Sequence, residues 1–97
     1  MSDLINEAKI LIIDDDPNDL QFLGTLLQEQ NYKLFFANDG EEGFKRAEKV
    51  RPDIILLDLV LPGIDGFEIL SRLKKSQTTQ QIPVVIIRSW EYFFKWM

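Results

Sequence analysis

Short apolar runs alternate with longer amphipathic segments along this chain. Ile10-Leu11-Ile12-Ile13 is an unbroken apolar run that stops at three acids, and it reads as a strand buried on both faces. Asp16 and Pro17 then supply an N-cap and a first-turn proline. Leu20, Phe22, Leu23, Leu26 and Leu27 recur at helical spacing, which predicts a helix to about Gln30. Tyr32 to Phe36 is a second strand candidate. Asp39 and Glu42 form a capping box ahead of a helix carrying Phe44, Ala47 and Val50, and Arg51-Pro52-Asp53 breaks it. Ile54 to Leu57 is a third strand, again ended by an acid, Asp58. A loop with Leu61-Pro62-Gly63 and Asp65-Gly66 leads to a third helix with Phe67, Leu70 and Leu73 along one face. Lys74 and Lys75 in its last turn suit the helix dipole. After a linker from Gln80 to Pro83, Val84 to Ile87 predicts a fourth strand.

The order is βαβαβαβ. Strands separated by helices of this length pair in parallel through right-handed crossovers, with helices on both faces of the sheet. Three of the four strands are solid apolar runs, as doubly covered strands require. The chain is an α/β protein. Leu20, Leu23, Leu27, Phe67, Leu70 and Leu73 are expected in its core.

Composition narrows the chemistry. The 97 residues suit one domain, and a hydrophobic content of 45% suffices for a core. The net charge is −5, and no Lys/Arg-rich block marks a nucleic-acid or anionic-membrane surface. Without cysteine or histidine, disulfides, thiolate zinc sites, Cys nucleophiles and Ser-His-Asp arrangements are excluded. The N-terminal MSDLINEAK does not read as a signal peptide, and no apolar run approaches membrane-spanning length, so a soluble cytoplasmic protein is expected.

The acids carry the remaining signal. In a doubly wound sheet, ligands gather at the carboxyl ends of strands where the strand order reverses. Asp14 and Asp15 close the first strand and Asp58 closes the third. If those strands are neighbours, three carboxylates converge, and their mutual repulsion is relieved by a cation. An oxygen-only cluster with room for water suits Mg2+, and a carboxylate beside that ion can act as a nucleophile toward a phosphoryl group. The plainer alternative is helix capping, which Asp16 before Pro17 fits well. The joint spacing is more specific than any single acid.

That joint pattern resembles the receiver domain of two-component signalling. ILIIDDDPND is similar to the family's first strand and acid pair, DIILLDLVLPGIDGFEIL to the segment around its phosphoryl acceptor, and PVVII to its fourth strand, together covering residues 8 to 87. The resemblance implies a flavodoxin-like doubly wound parallel sheet. It implies that Asp58 accepts a phosphoryl group from a histidine kinase or phosphotransfer protein. It makes Asp15 a direct Mg2+ ligand, Asp14 the holder of a metal-bound water, and the backbone carbonyl of Val60 a further ligand. Pro62, Gly63 and Gly66 are read as loop geometry, Val60, Leu61 and Ile64 as loop packing, and Asp53 as a local cap or pair.

The pattern also departs from the family. Where a Thr or Ser is expected at the end of strand four, Arg88 stands, with Ser89 one step later; either is a possible phosphate contact. A fourth helix, a fifth strand ending in Lys and a fifth helix would follow in the family. Here Trp90 to Met97 hold five of the chain's 11 aromatic residues, and Lys95 follows no comparable strand. The expectation is therefore an incomplete receiver over residues 8–89, with four strands and an altered or truncated end, and an aromatic tail over 90–97. Strand four would be left as an open edge, suited to a homodimer through that edge or the tail.

Three functions compete. The first is a phosphorylatable receiver that signals through protein contacts and is not an enzyme. The second is a degenerate receiver acting as a phosphorylation-independent interaction module. The third is a Mg2+-dependent phosphatase resembling the haloacid dehalogenase family, suggested by the D-x-D spacing in Asp14-Asp15-Asp16; Pro17 and Asn18 follow where that family calls for Thr or Val.

Overall fold

Apolar runs and turn signals become eight elements in the computed structural model, which describes residues 7–61, 65–89 and 93–95, with the backbone course alone for 88–89 and 93–95. They are β1 (Lys9–Ile13), α1 (Pro17–Gln28), β2 (Lys33–Ala37), α2 (Gly40–Val50), β3 (Ile54–Asp58), α3 (Gly66–Lys75), β4 (Val84–Ser89) and β5 (Phe93–Lys95). The expected alternation is present, with boundaries displaced by one or two residues. The sheet order is β2-β1-β3-β4-β5, and the first four strands are parallel.

Local chemistry fixes the helix ends. Asp16 caps α1 by accepting the Asn18 N–H at 2.9 Å, and Pro17 follows with its preset φ. Asp39 accepts the Glu42 N–H at 2.8 Å, while Glu42 reaches back to the Asn38 N–H at 3.2 Å. This is the predicted box with the return bond one residue further upstream. Arg51 ends α2 in the left-handed region at φ 54°, directly before Pro52. Asp53, expected to cap or pair locally, instead reaches across to β1, accepting the Lys9 N–H at 2.7 Å.

The two faces of the sheet are covered unequally. Leu11, Ile13, Ile55, Leu57 and Ile86 pack beneath α2 and α3 with Ala47, Ile69 and Leu73. On the other face Ile10, Ile12 and Ile87 pack against Leu23 of α1, with Leu20, Leu27, Leu34, Ile54 and Leu56 partly buried around them. Helix α2 lies so close to β1 that a Cβ on Gly43 would stand 2.6 Å from Ile13 Cδ1.

Two expectations need correction. Phe67 is 53% exposed instead of core, because the buried stripe of α3 runs through Gly66, Ile69 and Leu73, with Leu70 at its margin. Phe67 is turned away from that i, i+3, i+7 stripe. Phe22 and Leu26 of α1 are likewise about half exposed. Nor is β4 the open edge: β5 pairs with it antiparallel, setting Phe94 opposite Ile87 and Lys95 opposite Ile86, with an irregularity between Ile87 and Ser89. A short strand thus takes up the backbone groups that β4 would otherwise present. Among the described residues no helix is long and apolar enough to cross a membrane.

Candidate functional site

Strand order reverses between β1 and β3: the chain leaves β1 for β2 on one side and returns to β3 on the other. The crevice at their carboxyl ends is where such sheets bind ligands. Ile13 is in register with Leu57, so Asp14 and Asp58 each stand one step beyond a matched pair. The ladder continues past both strands, since the Asp14 N–H donates to Ala37 O at 3.0 Å and the Leu59 N–H to Ile87 O at 3.1 Å. Side chains alternate along a strand, and residues two apart share a face. Asp14 follows Ile12 and Asp58 follows Leu56, both on the α1 face, so the two carboxylates turn to that side together.

The third acid there is Asp19, on the first turn of α1. Single carboxylate oxygens of Asp14, Asp19 and Asp58 all lie within 4.8 Å of one another, and all three residues are buried. Asp15, expected in this trio, is exposed and is not one of the three. Asp15 lies beyond the end of β1 at an exposed position, although its charge still acts on Asp58. Periodicity around α1 could have flagged Asp19, which sits in the apolar stripe with Leu20, Leu23 and Leu27.

Hydrogen bonds orient two of the carboxylates. Asp14 Oδ1 accepts the Asp16 N–H at 3.0 Å, and Asp58 Oδ1 accepts the Val60 N–H at 2.9 Å. Asp14 Oδ2 and Asp19 Oδ1 are buried without a hydrogen-bond partner. Burial raises the Asp14 carboxyl from its ordinary 3.8 to about 6, against the pull of the Asp16 N–H and with help from the charge of Asp58. Burial, then the adjoining Asp14 carboxyl, pushes Asp19 up to about 6. Asp58 is also raised, chiefly by burial, with the Val60 N–H and Asp14 opposing and the charges of Asp15 and Asp19 adding.

Such a cluster suits one kind of occupant. All donors are oxygen, two buried oxygens lack partners, and no cationic side chain is hydrogen-bonded to the three acids among the described residues. A hard divalent cation satisfies those oxygens, and Mg2+ fits the donor set.

Of the other expected positions, Val60 is 68% exposed beside Asp58, and Leu61 is half-buried. Gly66 opens α3 against the backbone of Leu59. Pro62, Gly63 and Ile64 lie outside the described residues, as do the side chains of Arg88 and Ser89, whose backbone completes β4 one and two steps beyond the partner of Asp58.

A profile of the response regulator receiver domain matches residues 10–92. The chain belongs to that family. It is a receiver of two-component signalling, similar over 80 residues to the protein PilH of Pseudomonas aeruginosa at 36% identity and to the response regulator PleD of Caulobacter vibrioides at 41%. Those matches cover 82% of this receiver but 66% of PilH and 18% of PleD. Among solved structures, the N-terminal domain of a response regulator receiver protein from Methanoculleus marisnigri superposes with a TM-score of 0.80 at 33% identity. The receiver domain of a Pseudomonas aeruginosa sensor histidine kinase, solved with magnesium coordinated in its active-site cleft, does so with a TM-score of 0.80 at 25% identity. Each superposition covers 84% of this receiver and 66% of the other chain.

Proposed function

We propose that this receiver accepts a phosphoryl group on Asp58 from a histidine kinase or phosphotransfer protein, with Mg2+ held at the adjoining acids, and signals by altered protein contacts. The observation that carries this reading is the pairing of Asp58 with Asp14 at the ends of adjacent parallel strands, beside buried oxygens that lack partners. The magnesium reported in the cleft of the similar kinase receiver domain supports the choice of metal.

Asp14 and Asp58, with the backbone carbonyl of Val60, would hold the ion, and Asp15 would complete the set by turning in from its exposed position. Bound there, Mg2+ would neutralise the carboxylates and the oxygens of the incoming phosphoryl group. The chain's own part is orientation. The Val60 N–H fixes one oxygen of Asp58, leaving the other to attack phosphorus. A P–O bond forms as the donor's P–N bond breaks, and its electron pair returns to the donor nitrogen. Arg88 or Ser89, at the end of β4, would meet the phosphoryl oxygens. The added charge then biases the surface presented to partners.

Incubation of the protein with Mg2+ and acetyl phosphate, followed by intact mass measurement, tests this reading. The expected result is a gain of one phosphoryl group that is absent in Asp58→Asn and absent when the metal is chelated. A folded wild-type chain that gains nothing would overturn it.

A further inference from the structure

Asp19 is a residue whose burial the helix itself does not explain. It stands three residues after the cap of α1, where an acid ordinarily reaches back to the backbone N–H of the capping residue. That donor is already taken: the Asp16 N–H points to Asp14 Oδ1 at 3.0 Å. Asp19 is nevertheless 6% exposed, and its Oδ1 is sealed from solvent with no hydrogen-bond partner. A buried carboxylate without donors is costly, so its position calls for a positive partner. It faces the strand-end acids, with one of its oxygens within 4.8 Å of oxygens of both Asp14 and Asp58, where a shared cation would serve all three.

We infer that Asp19 is an additional carboxylate of the divalent-cation site, extending from α1 to the ion held at the ends of β1 and β3. The inference rests on the proposed cation site and adds a residue to it. Ligand oxygens sharing one Mg2+ stand at most about 4.2 Å apart, and those sharing one Ca2+ about 4.8 Å. The trio, with one oxygen from each residue within 4.8 Å of the others, stands in the range from which a single divalent cation can be shared. Because Asp19 belongs to a helix and Asp14 and Asp58 to the carboxyl ends of β1 and β3, the ion also ties α1 to the sheet face that it covers.

Calorimetric titration of the intact chain with MgCl2, repeated with CaCl2, tests the assignment. Asp19→Asn keeps the shape of the side chain and removes one repulsive charge, so folding is retained; Asp19→Ser serves as a second variant, and circular dichroism checks both. Both variants should bind Mg2+ about tenfold more weakly than wild type, the order expected for losing one carboxylate near a divalent ion. Glu29→Gln, an equal change of charge at the exposed far end of α1, should bind as wild type does. Unchanged or tighter binding in the Asp19 variants, with wild type binding normally, overturns the inference and leaves the site itself standing. Absence of saturable binding by wild type overturns both.

Discussion

Asp58 and Val60 close a short ring in which the Val60 N–H donates to Asp58 Oδ1 at 2.9 Å, two residues along the chain. The ring holds the carboxylate at the mouth of the β1/β3 crevice, and only an acceptor oxygen is needed to keep it. Asp58→Asn should preserve the ring while removing charge from a crowded group of acids. Metal-free Asp58→Asn is therefore expected to be more stable than wild type by about 1 kcal/mol. Urea unfolding in the presence of a chelator measures this, alongside loss of the phosphoryl gain.

The acids also set a dependence on pH. Asp14 and Asp19 have folded-state values of about 6 against 3.8 when unexposed to burial. Between those limits the folded chain holds more protons than the unfolded one, so stability falls as pH rises. Metal-free melting temperature should thus decline from about pH 4 to above pH 6, the reverse of a carboxylate held by a cation. Saturating Mg2+ should flatten the decline, with a larger gain at pH 7.5 than at pH 5, because protons and metal compete for the same oxygens. Thermal melts with chelator and with Mg2+ at each pH measure both effects.

Two glycines in helices should respond oppositely to alanine. A Cβ on Gly66 would stand 2.6 Å from Leu59 Cα and 2.7 Å from Leu59 O, and backbone cannot yield as a side chain can. Gly66→Ala is expected to cost about 1–3 kcal/mol and to slow phosphoryl acceptance by displacing α3 from the loop after Asp58. At Gly24 the nearest atom is the ring tip of half-exposed Phe36, 3.3 Å away. Gly24→Ala should be neutral or stabilising by up to about 1 kcal/mol through helix propensity. Denaturant midpoints for the two variants separate the cases.

Thr79 is fully buried and donates its hydroxyl to Leu73 O at 2.6 Å, tying the turn after α3 to the end of that helix. Thr79→Val keeps the volume and removes the donor. The buried carbonyl then loses its partner, at an expected cost of about 1–3 kcal/mol. Chemical denaturation should show this loss with an unchanged unfolding slope, since the surface exposed on unfolding is the same.

What the sequence determined by itself is the alternation and its punctuation. The run from Ile10 to Ile13, the cap at Asp16 with Pro17, the box at Asp39 and the break at Pro52 act over a few residues, and their physics is local. They were enough to order the strands and helices and to set Asp14 and Asp58 at strand ends. Tertiary structure decided the rest. Which face of α3 turns inward depends on where the sheet lies, so Phe67 looked like core and is not. Whether Asp15 or Asp19 joins the other two acids depends on which face α1 covers, a relation between segments that no local spacing expresses. The reversed direction of β5 along β4 is decided in the same way, by the free hydrogen-bonding edge that only the assembled sheet presents.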